Sequence, residues 1–96
     1  MERRDENVVY IGGKPFMNYV QAVVMQFTTK GAREVSVRAR GKFIARAVDV
    51  AETCLKKYLK DRNIEVKKIG IDSEEFENNE GRRVNVSTID IIIGRK

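Results

Sequence analysis

The apolar residues of this chain switch between the strand period of two and the helix period of 3.6 in a set order: strand, helix, strand, helix, strand, strand. Val8, Val9, Tyr10 and Ile11 form a β-favouring run within Asn7 to Gly12, and Gly12 and Gly13 close it. Pro15 suits the first position of a helix. Behind it Phe16, Tyr19, Val20, Val23, Val24 and Phe27 recur at intervals of three and four until Thr28, Thr29 and Gly31 stop the pattern. Arg33 to Ala39 then alternates, with Val35, Val37 and Ala39 on one face and Glu34, Ser36 and Arg38 on the other. From Lys42 to about Lys60 an apolar stripe of Ile44, Ala47, Val48, Ala51, Leu55, Tyr58 and Leu59 opposes Arg46, Asp49, Glu52, Lys56, Lys57 and Lys60, which predicts a second amphipathic helix.

Ile64 to Phe76 and Arg83 to Ile93 both read as extended, separated by Asn78, Asn79, Glu80 and Gly81, which is turn chemistry. In each strand the apolar phase slips once. Ile64 and Val66 are out of step with Ile69 and Ile71, and Val84 and Val86 with Ile89, Ile91 and Ile93; a β-bulge or the end of core contact produces such a slip. A turn centred near Asn79 and Glu80 pairs Ile71 with Thr88 and sends residues from about Asp72 to Ser87 beyond the sheet as an arm. The expected fold is α+β: a two-layer βαβαββ domain whose mixed four-stranded sheet carries both helices on one face and a long hairpin arm from its last two strands. Residues 1–96 make one domain, with residues 1–6 expected as a disordered tail.

Composition removes several classes of function. The apolar stretches Tyr19 to Phe27 and Ile89 to Ile93 are interrupted by Gln21, Gln26 and Asp90 and fall short of the ~20 residues of a membrane span. Glu2, Arg3, Arg4, Asp5 and Glu6 precede no apolar segment of the secretory kind, so a cytoplasmic protein is expected. With no His and a single Cys54, neither an internal disulfide nor a zinc site can form, and no cofactor is expected. The absence of His also removes the commonest general base, so Ser87 and Thr88 have nothing to activate them. Asp49 and Glu52, one helical turn apart, read as ion-paired with Arg46 and Lys56, and Cys54 as a small buried hydrophobe. No catalytic constellation rises above background, and the chain is read as a non-enzyme.

The charge is where the chain becomes informative. Lys and Arg number 19 against 14 Asp and Glu, for +5 overall. Residues 1 to 71 carry +7, residues 72 to 83 carry −3, and the remainder +1. Between Lys30 and Arg46 a surplus of +5 gathers in 17 residues, from Lys30, Arg33, Arg38, Arg40, Lys42 and Arg46 against Glu34. Arg38 and Arg40 point to one side of a strand end, and Gly41 allows a tight turn that brings Lys42 near them at a helix start, an arrangement suited to phosphate oxygens. The competing reading is a solvated charged surface. The loop Gly12, Gly13, Lys14, Pro15 could present a second cation to a phosphate, although it lacks the P-loop spacing and Pro15 removes one donor.

Three segments then resemble a known family. IGGKPFMNY from Ile11 to Tyr19, RARGKFIARAVD from Arg38 to Asp49, and VSTIDI from Val86 to Ile91 resemble, in the right order, the Alba (Sac10b) family of small basic archaeal chromatin proteins. The resemblance spans about Asn7 to Arg95. It implies the βαβαββ fold, similar to the C-terminal domain of a bacterial translation initiation factor. It also implies a homodimer, assembling further on nucleic acid, that binds double-stranded DNA and RNA with little sequence preference in the nucleoid. The family's contact residues carry over to Lys14, Arg40 and Lys42, with Arg38, Arg46, Arg82 and Arg83 as outer contacts. Gly13 stands where family members often carry a Lys reported as an acetylation site, and the arm, with five carboxylates against two Arg, is unusually acidic.

A ribonucleoprotein subunit that binds mainly RNA is the alternative among binding proteins, since phosphate contacts do not choose between duplexes. An assembly module whose basic face meets an acidic protein is the alternative from another class. A dimer interface is expected from Tyr58, Leu59, Ile89, Ile91, Ile92 and Ile93, because the last strand offers apolar groups to both faces and small monomers rarely leave such a patch in water.

Overall fold

Four strands and two helices follow one another in the expected order in the computed structural model, which describes residues 7–96; the tail expected at residues 1–6 lies outside the described residues. The elements are β1 (Val8–Tyr10), α1 (Phe16–Thr28), β2 (Glu34–Arg40), a 3-10 turn (Gly41–Phe43) leading into α2 (Ile44–Thr53), a π-helical turn (Cys54–Tyr58), β3 (Ile64–Glu77) and β4 (Arg83–Arg95). They make one mixed sheet in the order β1-β2-β4-β3, with β1 parallel to β2 and the other two pairs antiparallel.

Strand alternation sorts the sheet into two faces. Val9, Val37 and Ile91 lie in one cross-strand row and, with Val35 and Ile93, form the floor of the core. Val20, Val23 and Phe27 of α1 and Ala47, Val50 and Ala51 of α2 close over that floor, so both helices cover the same face. The opposite face carries Tyr10, Arg38, Arg40, Thr88 and Asp90, which share the other parity of the same rows.

The second helix ends differently from its apolar stripe. The Leu59 N–H bonds back five residues to the Cys54 carbonyl at 2.8 Å, and this extra residue in the last turn advances the phase of the chain beyond it. Leu59 takes the inward position and is fully buried, while Tyr58 swings out to 48% exposure.

The two phase slips in the hairpin have different causes. In β3 a bulge falls between Val66, opposite Ile93, and Lys68, opposite Ile92, leaving Lys67 outside the ladder. In β4 the pairing runs without a break, so alternation alone puts Val84 and Val86 on the open face with Thr88 and Asp90, away from Ile89, Ile91 and Ile93. The turn occupies residues 78–82, with the Asn78 Oδ1 accepting from the backbone N–H groups of Glu80 and Arg82 at 2.9 and 3.0 Å. Ile71 therefore pairs with Ile89, and Asp72 takes the place opposite Thr88, one residue from the expected register. The last β2 pair is Arg40 with Thr88, so the hairpin beyond that point stands clear of β2 as the expected arm.

The residues expected at a dimer face differ in burial. Leu59, Ile91 and Ile93 have 3% exposure or less and belong to this protomer's own core. Ile89 and Ile92 are half-buried. Large apolar groups left in water include Tyr58 and, on the edge strand, Ile69 at 58% and Ile71 at 80%, the last two on the helix side of the sheet opposite Ile91 and Ile89.

Candidate nucleic-acid interface

Because β1 and β2 are parallel, the turns that leave their C-terminal ends emerge at the same end of the sheet. The first, Gly12 to Pro15, is tied down on three sides. The Ile11 N–H donates to the Arg38 carbonyl at 2.8 Å, and the Lys14 N–H donates to the Tyr19 hydroxyl at 3.0 Å from a largely buried ring on α1. The Arg46 Nη1 of α2 donates to the Gly12 carbonyl at 2.5 Å, with the guanidinium 5.9 and 5.7 Å from the ring centroids of Phe16 and Tyr19. Pro15 is the N-cap, one place before the expected first helical position. The backbone is held while the Lys14 side chain is exposed to solvent.

The second turn follows β2. Arg40 is extended, Gly41 has φ of 58°, a left-handed conformation that favours glycine, and Gly41–Phe43 forms the 3-10 turn that opens α2. Lys42 is exposed on that turn, with its Nζ 5.5 Å from the centroid of the Phe43 ring. The arm rises from the same end of the sheet, since β4 loses its β2 partner at Thr88. The structure thus gathers Lys14, Arg40, Lys42 and the base of the arm, with Arg46 as the strut between the two turns.

The seven basic residues singled out in the sequence are not equivalent. Among the described residues, Lys14, Lys42 and Arg82 are exposed and make no ion pair. Arg38 is half-buried and bonds through Nε to the Asp90 Oδ2 at 3.2 Å. Partial burial works against its charge, but Asp90 and the Tyr10 hydroxyl outweigh that and hold the guanidinium above its usual range. Arg40 pairs with Glu74 of the arm at 2.6 Å, and Arg83 with Glu75 within the arm at 2.5 Å. Sequence reasoning missed Tyr19 as a support for the loop and Glu74 as the partner of Arg40. Tyr19 showed only as a member of an apolar stripe, and the Glu74 contact depends on a register known only from the fold.

The other candidates behave as small structural parts. Glu52 pairs with Lys56 at 3.2 Å along the helix. Cys54 is fully buried, and burial pushes its thiol up to about 12, which keeps it protonated and unreactive. Among the described residues no three metal-ligating side chains gather, and no helix is long and apolar enough to cross a membrane.

The strut gives a test of how the site is built. Arg46→Ala is expected to lower unfolding stability by about 1–3 kcal/mol, as loss of a charged hydrogen bond and two ring contacts implies. Lys14→Ala, on an exposed side chain, is expected to change it by less than about 0.5 kcal/mol. Urea denaturation of the two variants checks the contrast.

Comparison with known proteins gives consistent matches. The Alba family profile matches residues 7–73. A DNA/RNA-binding protein Alba from Methanococcus maripaludis is 44% identical over 88 residues, covering 92% of this chain and 97% of that protein. A DNA/RNA-binding protein Alba 1 from Archaeoglobus fulgidus is 50% identical over 91 residues, covering 95% and 98%. The solved structure of Alba from Thermoplasma volcanium is similar with a TM-score of 0.83 at 42% identity, over 93% of this chain and 100% of that one.

Proposed function

The chain belongs to the Alba family, and on that footing we propose that it is a non-catalytic protein whose homodimer binds double-stranded DNA and RNA through phosphate contacts, with little regard to sequence. Its place is on the nucleoid, where it coats or bridges DNA. The observation that carries this reading is the convergence of Lys14, Arg40 and Lys42 at one end of the sheet, on two turns braced by Arg46, beside an arm long enough to follow a duplex. Cations on turns at a sheet end reach phosphates more readily than base edges, and phosphate contacts position a protein without reading sequence. The names of the relatives, DNA/RNA-binding proteins, support the same ligand class.

Dimerisation is part of the proposal. Ile69 and Ile71 are exposed on an edge strand, with Tyr58 also in water at the end of the second helix. A two-fold partner that covers this apolar surface sets two basic ends and two arms on one body.

The experiment compares duplexes of unrelated sequence, and DNA with RNA duplexes of matched length, at one salt concentration. Closely similar affinities for unrelated DNA sequences are expected. A strong preference for one sequence would contradict the phosphate reading, and strong capture of an acidic protein with no duplex binding would favour the assembly module.

A further inference from the structure

Arg40 is the last residue of β2, and beyond its partner Thr88 the neighbouring strand β4 runs on into the arm with no further strand paired to that edge among the described residues. On the open face the next positions up the arm are Asp72, opposite Thr88, and Glu74, opposite Val86. Arg40 reaches diagonally across this gap, and its Nη2 lies 2.6 Å from the Glu74 Oε1, with both side chains more than half exposed. A carboxylate oxygen in that position offers the guanidinium what a phosphate oxygen does, a negatively charged acceptor.

We infer that Glu74 holds the phosphate position on Arg40 in the free protein, an internal competitor that nucleic acid must displace and that thereby sets the affinity of the site. The inference rests on the proposed phosphate contact of Arg40 and adds a residue of opposite charge to it. The other cations near the arm's base are not placed this way. Lys14 and Lys42 make no ion pair among the described residues, and Arg38 is turned into its half-buried pair with Asp90. Farther up the arm the outer contact Arg83 pairs with Glu75 at 2.5 Å, so Glu74 is the carboxylate whose removal frees one of the three central contacts, Lys14, Arg40 and Lys42. The pair is solvent-exposed, so its strength is modest and falls with salt.

The test is a double-mutant cycle on duplex affinity at low salt, using Glu74→Gln, Arg40→Ala and the double variant, with Glu80→Gln as a control. Glu80 lies in the hairpin turn, carries the same charge and makes no ion pair among the described residues. Glu74→Gln is expected to tighten binding by about 2- to 5-fold per protomer, the range of an exposed ion pair. The gain should exceed that of Glu80→Gln and should disappear in the Arg40→Ala background. A gain equal to the control, or one that survives without Arg40, would show a general charge effect and overturn the inference; so would no gain at all. If Arg40→Ala leaves affinity unchanged, Arg40 is no contact and Glu74 competes for nothing, which also overturns it. Failure of the proposed function itself would look different, as absence of duplex binding by the unaltered protein.

Discussion

Replacing Ile69 and Ile71 together by Glu is expected to turn a dimer of about 22 kDa, twice the 11.0 kDa chain, into a folded monomer. Both side chains are more than half exposed in the protomer, so the substitutions leave Val35, Val37, Ile91 and Ile93 in place, and far-UV circular dichroism should stay near that of the parent. Two carboxylates facing two more across a two-fold axis cannot be buried at tolerable cost. Duplex affinity is expected to fall by about 100-fold or more, since the second basic end no longer acts at high effective concentration. Equilibrium sedimentation reads the mass and titration the affinity. A variant that remains dimeric would place the interface elsewhere; a monomer with full affinity would end the two-armed account.

The combined substitution Lys14→Ala, Arg40→Ala and Lys42→Ala is expected to abolish most duplex binding, by roughly a thousandfold at physiological salt, because it removes six cations from the dimer. All three residues are exposed, and none supports the core. The midpoint of thermal unfolding should move little, which separates lost contacts from lost structure. The loss should be equal for unrelated sequences. A shift in sequence preference with bulk affinity intact would mean that these side chains read bases.

How far the chain announced this arrangement depends on the distance over which each feature is decided. The helical stripes and the alternation of β2 are local periodicities, and they locate both helices, the two turns and most of the core, although Val48 of the expected stripe is exposed and Val50 is buried in its stead. The RARGK turn and the GGKP turn were visible for the same reason, since glycine and proline mark where a chain must bend. What was hidden turns on single residues of phase. One extra residue in the π turn keeps Leu59 of the stripe at the core and turns Tyr58 out of it, and one residue in the hairpin loop exchanges Thr88 for Ile89 opposite Ile71. The Arg40 to Glu74 pair depends on that register, and no spacing within the sequence suggests it. Arg46 looked like one more surface cation because its partners, Gly12 and two rings of α1, lie far away in the chain.

The central claim, that phosphate contacts supply the affinity, is tested most directly by duplex titration across a range of salt concentrations. With about four to eight contacts per dimer, log K should fall linearly with log salt at about −0.9 per contact, along the same line for unrelated sequences. A duplex affinity that does not change with salt would contradict the account.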